Sequence, residues 1–411
     1  MFEEINKVIE GGYCTGCGAC AFVAKGKMKI NDYGEYAPDL NSFNRDQRAS
    51  ATASFVCPSL NPDYNEDILA EQFLDKHQKD SAYIGPYTAV YGGYVAEGTY
   101  RDQGTSGGLG TWVGAELFRQ NMIDAVIHIK EHKRSEVMDP FFKYGASRSL
   151  EEIHYGSRTK YHVVEMSEVL TFIQNNPARY LFIGLPCMIK TIRRLQLKNE
   201  VLKESIKFTM ALVCGHLKTI NWTLSLAWGK GLQPANLDRF RYRTKGPSIP
   251  ARAYFFTAFG KPNTKHSEIL ANSSDVVGGE FNQGALMLPA CNFCDDLVGE
   301  TADITIGDAW LPQFEVDQKG TNLVIIRNRE LDKLLNNAKS ETRVFLTALS
   351  EKDVIDAQSG GFRQRKEGLS YRLKQQQKAG GWMPVKRIKP GSYRIAPLRK
   401  VIYSLRVPVS Y

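Results

Sequence analysis

Apolar and polar positions alternate along the chain in two rhythms that exchange with each other. From residue 87 to about 230 short apolar runs are followed by stretches with helical spacing. Ala89–Glu97 reads as a strand and Ser106–Gln120 as a helix with a small-residue start. Ala125–Glu131 reads as a strand, Ser167–Asn176 as a helix and Arg179–Leu185 as a strand. Met188–Asn199 follows as a helix, Lys207–Cys214 as a strand and Thr219–Gly231 as a helix. Strands that alternate with helices of this length predict βαβ units around a parallel sheet. Residues 235–330 are strand-rich, with Arg252–Phe259, Ala302–Asp308 and Asn322–Asn328 as predicted strands.

The two ends differ from this middle. Residues 1–80 have short elements and a polar stretch, Asn41–Ser54, that reads as a loop; Gly85-Pro86 marks a boundary. From residue 331 the pattern is helical, then basic and proline-punctuated, and the tail from about 385 is expected to be loosely ordered. The expected organisation is an N-terminal module over 1–80, an α/β core over 81–330 with a mixed or parallel sheet and flanking helices, and a helical then basic extension over 331–411.

Composition narrows the class. The chain has 411 residues, of which 43% are hydrophobic and 24% charged, as in an ordinary globular protein. The N-terminus lacks the charged and apolar regions of a signal peptide, and no apolar run is long enough to span a bilayer. A reducing, cytoplasmic setting is therefore expected, where cysteine patterns point to metal or catalysis more often than to disulfides. The net charge of +9 is concentrated in the C-terminal third. A basic face attracts nucleic acid, an anionic membrane surface or an acidic protein, or is simply solvated.

Eight cysteines fall into two groups of four with none left over. Cys14-x-x-Cys17-x-x-Cys20 with a distant Cys57-Pro58 has the spacing of a ferredoxin-type [4Fe–4S] site. The three close thiolates fold a loop round one face of a cubane, and the distant one closes the fourth corner. Gly16 and Gly18 let amide N–H groups approach the sulfides. A four-cysteine zinc site and inert buried thiols are the alternatives, although zinc usually uses two C-x₂₋₄-C knuckles. The second group is Cys187, Cys214, Cys291 and Cys294. Cys187 follows one predicted strand and Cys214 ends another, and parallel strands finish at one edge, where open α/β sheets bind ligands. Cys291-x-x-Cys294 would supply the other two ligands from a loop. Without the sheet argument, isolated Cys187 and Cys214 read as core residues.

Thr105-Ser106-Gly107-Gly108 enters the helix that follows. Such a turn offers free N–H groups and a positive dipole end to a phosphate, and Ser106 alone would serve as a plain N-cap. Gly156–Tyr161 is a second polar, basic segment, whose Lys160 would pair with a phosphate or an anionic flavin, or remain solvated. Asp308 would bind a ribityl hydroxyl or a substrate, or cap a turn. His216, two residues after Cys214, is a candidate proton donor, with a structural role as the alternative.

The segments CTGCGAC, TSGGLGTW, GSRTKY, FIGLPCMIKTIRRL, ALVCGH, CNFCDDLVGETADITIGDAW and GTNLVIIRN, in this order, resemble the coenzyme F420 hydrogenase and dehydrogenase beta subunit family over most of the chain. The N-terminal cysteine module resembles that of its longer, two-cluster members, which include the plant 7-hydroxymethyl chlorophyll a reductase. The basic C-terminus is similar to that of single-chain bacterial relatives, some encoded with polysaccharide biosynthesis. The resemblance implies an iron–sulfur flavoprotein with FAD and with Cys187, Cys214, Cys291 and Cys294 around one [4Fe–4S] cluster. It also implies that Ser106, Gly107, Gly108 and Thr111 form the flavin-phosphate turn, with Lys160 and Asn322 beside the flavin.

The expected function is an oxidoreductase. Electrons would pass between an acidic carrier such as ferredoxin, or coenzyme F420, two [4Fe–4S] clusters and FAD, to reduce or oxidise an unidentified small molecule, in polysaccharide or other biosynthesis. The alternatives are an electron-transfer subunit with no substrate of its own, which would leave oligomerisation open, and a zinc-stabilised basic binding protein. No aromatic-interleaved basic motif supports nucleic acid as a partner.

Overall fold

The computed structural model describes residues 1–76, 79–245, 253–261 and 268–409. Near the N-terminus β1 (Lys27–Ile30) and β2 (Tyr36–Asp39) form an antiparallel hairpin. The central strands follow as β3 (Ala89–Val95), β4 (Ala125–Glu131), β5 (Phe142–Ser147), β6 (Tyr180–Gly184) and β7 (Ile206–Leu212). Next come β8 (Leu237–Tyr242), β9 (Phe255–Gly260) and β10 (Glu268–Asn272), which make a separate antiparallel sheet. The chain then returns to the main sheet with β11 (Ile304–Asp308), β12 (Asn322–Ile326) and β13 (Val344–Ala348).

The main sheet has eight strands in the order β13-β3-β12-β11-β7-β6-β4-β5. Its centre, β11-β7-β6-β4, is parallel, and β12, β3, β13 and β5 join antiparallel. The sheet is therefore mixed where alternation alone predicts parallel. The antiparallel strands need no crossover helix, so β12 pairs directly with β11. β5 and β13 lie at the two edges, and their half-polar sequences carry no strong apolar signal.

Both faces of the sheet are covered, which explains the near-continuous apolar runs. Along β4 and β6, Ala125, Ile127, Tyr180 and Phe182 join one cluster, and Val126 and Leu181 join the other. The helix Pro186–Gln196 packs in the first cluster and Leu109–Arg119 in the second.

Two local expectations change. Asn41–Ser54 is not all loop, because Gln47–Val56 is a helix. Asp46 caps it by accepting from the Ala49 amide at 3.0 Å, and Ala53 and Val56 are buried beneath an otherwise polar surface. The tail beyond 385 is also docked rather than loose. Lys386 and Arg387 pair with the buried carboxylates of Asp295, Glu66 and Glu300, and the chain ends in a helix, Pro397–Val409, through which Tyr403 is buried. The predicted strand Arg252–Phe259 starts at Phe255; Arg252 lies outside the described residues. Among the described residues no helix is long and apolar enough to cross a membrane.

Candidate functional site

The carboxyl ends of β4, β6, β7 and β11 meet at one edge of the sheet, and a cavity of about 610 Å³ opens there. Its upper rim is the glycine-rich turn. Gly108 has φ +86°, and a Cβ would sit 2.7 Å from the Tyr100 carbonyl, so only glycine fits without strain. At Gly107 a Cβ would come within 2.6 Å of the Gly93 carbonyl oxygen and 2.8 Å of Asn322 Oδ1. The turn is tied down on every side. Ser106 Oγ donates to the Thr321 carbonyl at 3.1 Å, and the Leu109 amide donates to Asn322 Oδ1 at 3.0 Å. Asn322 Nδ2 in turn donates to the Gly307 carbonyl at 3.0 Å. Thr105 and Thr159 hydroxyls meet at 2.8 Å, which joins the two basic and glycine-rich motifs.

Of the six residues expected at the flavin, Ser106, Gly108, Thr111, Lys160 and Asn322 line this cavity; Gly107 packs behind it against β3. The Ser106 and Asn322 side chains spend their hydrogen bonds on the protein, so they position the turn. Lys160 Nζ donates to the carbonyls of Gly156 and Ser157 at 2.5 and 2.8 Å. Burial pulls its pKa down to about 7, against the opposing pull of Glu131.

The opposite wall is aromatic. Phe281 lies 4.5 Å from Tyr161 and 4.2 Å from the His216 ring, measured between centroids, and stacks on Tyr254. Burial, with Lys218 beside it, holds His216 neutral, so it is not a resting cation. Asp308 does not cap a turn. Its carboxylate accepts from the buried Arg243 guanidinium, and its carbonyl accepts from Gln358 Nε2 at 2.7 Å. Arg243 and Lys245 escaped the sequence reading. Lys245 Nζ donates to the Arg101, Ser106 and Lys319 carbonyls at 2.9, 3.2 and 2.8 Å and so braces the turn from outside. The partners of both lie far away in the chain, and no local pattern marks them.

All eight cysteines carry free thiols. Cys14, Cys17, Cys20 and Cys57 lie close enough to perturb one another electrostatically, and so do Cys187, Cys214, Cys291 and Cys294. Burial pushes Cys14 up to about 12, and Cys57 and Cys291 up to about 11. Each set already has an amide aimed at a sulfur. Gly16 N–H donates to Cys14 Sγ at 3.4 Å and Leu217 N–H to Cys291 Sγ at 3.3 Å. Cys187 occupies the first turn of its helix rather than the strand end, and Cys214 falls two residues past β7. Cys214 also lines the cavity. The sets adjoin: Cys17 perturbs Cys187, and Thr191 hydrogen-bonds the Cys17 thiol while donating to the Cys187 carbonyl at 2.9 Å. Among the described residues no three His, Cys, Asp or Glu side chains close on a single-ion site.

A residue that the motifs did not reveal stands over the second set. Arg365, in the single π-turn Gln364–Gly368, is 3% exposed. It donates to the carbonyls of Cys214, Gly215 (3.0 Å) and Asp296 (3.1 Å), beside the thiols of Cys294, Cys214 and Cys291. The π-turn is the only hint, since such turns collect at functional sites.

Residues 90–171 match the coenzyme F420 hydrogenase/dehydrogenase beta subunit N-terminal domain, and residues 178–352 match the C-terminal domain of the same family. The chain belongs to the coenzyme F420 hydrogenase/dehydrogenase beta subunit family. It is similar to the coenzyme F420-dependent sulfite reductase of Methanocaldococcus jannaschii, at 20% identity over 95% of this chain and 60% of that protein. This chain thus spans about 60% of the length of that curated relative. A chain of the F420-reducing [NiFe] hydrogenase complex of Methanosarcina barkeri shares the fold. The TM-score is 0.54 at 14% identity, over 72% of this chain and 96% of that one.

Proposed function

We propose that this chain is an iron–sulfur flavoprotein oxidoreductase. Cys14, Cys17, Cys20 and Cys57 hold one [4Fe–4S] cluster, and Cys187, Cys214, Cys291 and Cys294 hold a second. The carboxyl-edge cavity holds FAD. The observation that carries this reading is Cys214, which is at once a member of the second thiol set and part of the cavity wall. The thiol sets fit clusters because each gathers four sulfurs, buried or half-buried, with an amide donor pointed at one of them. The cavity fits a dinucleotide because it has a volume of about 610 Å³ and its rim is a glycine-rich turn that opens the helix Leu109–Arg119. Such clusters exchange single electrons, and a flavin passes them on in pairs.

The chain's own residues do the rest. The first turn of Leu109–Arg119 presents Gly110 and Thr111 to a pyrophosphate at the positive end of the helix. Arg365 offsets the negative charge of four thiolates from inside the protein. Lys160, with its pKa near 7, takes up or releases a proton at Nζ within the cavity. Phe281, Tyr161 and Tyr254 exclude water from the far wall. The carrier is an acidic protein such as ferredoxin, or coenzyme F420, and the substrate a small molecule that enters the same cavity.

Anaerobic purification tests the reading. We expect about eight iron atoms per chain and a releasable fluorescent flavin. That flavin should bleach with at least one of reduced ferredoxin, reduced F420 or NADH. A colourless protein containing only zinc would overturn the proposal.

A further inference from the structure

The C-terminal helix Pro397–Val409 is amphipathic in an unusual sense, because its apolar side faces outward. Leu398 is 74% exposed, Val401 55%, Ile402 51% and Leu405 59%. At about 100° per residue these four fall within an arc of roughly 100°. The residues that hold the helix to the protein lie on the other side. Tyr403 is buried, Ser404 and Tyr371 share a hydrogen bond of 2.7 Å, and Arg399 Nη1 pairs with Glu367 at 2.8 Å. Arg406 reaches the Asn282 carbonyl at 3.3 Å. A helix anchored only for its own packing would turn its leucines inward. A contiguous apolar stripe on the outside marks a contact surface.

Charge identifies the contact. From Gly380 to Tyr411 the chain has seven Lys or Arg residues and not one Asp or Glu. Lys386 and Arg387 are spent on buried carboxylates and Arg399 on Glu367, whereas Lys389, Arg394 and Lys400 are exposed. An exposed apolar ridge on a segment with cations and no acid of its own, its one neighbouring carboxylate, Glu367, being paired to Arg399, matches the boundary layer of an anionic bilayer: acyl chains for the ridge, phosphates for the cations. We infer that this helix docks the protein in the plane of an anionic membrane surface. Among the described residues no helix can span that membrane, so the attachment is peripheral. Arg406 sits on the same helix and contacts His216 Nδ1 at 3.5 Å. The anchored side of the helix therefore lies beside the cavity wall at His216, and the apolar stripe faces away from it.

Flotation of the full-length protein with vesicles tests this. Wild type is expected to float with phosphatidylglycerol–phosphatidylcholine vesicles and not with phosphatidylcholine alone. The double variant Ile402→Asp with Leu405→Asp should lower the floated fraction about tenfold. Lys400→Glu with Arg394→Glu should lower it too and flatten its salt dependence. Both pairs are exposed, so thermal midpoint and iron content should stay at wild-type values, which separates lost docking from lost folding. Equal flotation of wild type and the Asp variant would overturn the inference. So would no flotation at low salt, whether the variant then lost a complex with ferredoxin, which would assign the stripe to a protein partner, or a self-association, which would assign it to a second copy.

Discussion

The two thiol sets are built by opposite means. Cys14, Cys17 and Cys20 sit in one turn of chain, where Gly16 and Gly18 adopt φ of +67° and +81°. The loop is shaped by its own residues and then pressed on the core by a Met166 amide that donates to the Cys17 carbonyl at 2.9 Å. Cys187, Cys214 and the Cys291–Cys294 pair come from a helix start, a strand end and a loop, and only the packed sheet makes them neighbours. Their charge surroundings differ as well. Glu35 acts on Cys14, Glu165 on Cys17 and the buried Arg194 on Cys57, whereas Arg365 acts on Cys214, Cys291 and Cys294, with Asp296 opposing it at Cys214 and Cys294. Each set therefore has a buried arginine, but that of the second set acts on three of its four thiols and that of the first on Cys57. If clusters occupy both, the second should be easier to reduce, and electrons should settle beside the cavity.

The sharpest way to break this comparison is to remove one ligand from each set. Cys214→Ser should lose about half the iron and keep the N-terminal cluster's electron-paramagnetic signal, and Cys17→Ser should do the converse. Iron content unchanged in Cys214→Ser would remove the second set from the ligand list. The next largest effect belongs to Arg365→Met. Three carbonyls, that of Asp296 buried and those of Cys214 and Gly215 partly so, lose their donor, and chemical denaturation should show a loss of about 2–3 kcal/mol. The second cluster's potential should fall by on the order of 60 mV, the one-electron equivalent of a tenfold change. Glu165→Gln should move the first cluster's potential upward, and by less, because burial already pushes the Glu165 carboxyl up and leaves it less charged.

Gly108→Ala sets the turn against the thiols. Left-handed backbone and the approach to Tyr100 should cost about 1–3 kcal/mol, and flavin content should drop while iron stays. The smallest expected effect is the pH response of Lys160 in flavin-free protein. Its pKa is lower in the folded chain, about 7, than the unfolded value of 10.5. Below pH 7 both states carry the proton, and the folded state bears the full burial penalty. As pH rises from 7 towards 10.5 that penalty is relieved, so stability should increase with pH across this window. Lys160→Met should flatten that slope in denaturation curves measured across the range.

Much of the core was legible along the chain. Ala89–Glu97, Ala125–Glu131, Arg179–Leu185 and Lys207–Cys214 all contain strands, and the helices between them start within about three residues of their expected positions. These elements are set by patterns of a few residues, which neighbouring positions enforce. The capped helix Gln47–Val56 was missed because its apolar side is only Ala53 and Val56, too few to give a period. The glycine-rich turn and Lys160 were visible as motifs, but their hydroxyl link through Thr105 and Thr159 was not.

By itself, then, the sequence determined the alternating core and the N-terminal C-x-x-C-x-x-C loop, since each depends on contacts within a few residues, and it marked the turn that enters Leu109–Arg119, which Thr321, Asn322 and Lys245 hold in place. Only the tertiary structure decided that the sheet is mixed, that four scattered thiols meet, and that Arg365, Arg243 and Lys245 close round the site. It also decided that a basic tail binds Glu66, Asp295 and Glu300 and leaves its leucines outside. Many of those outcomes depend on partners far away in the chain, such as Arg243 with Asp308 and Arg387 with Glu66. Burial selects such partners, and no short pattern can carry them.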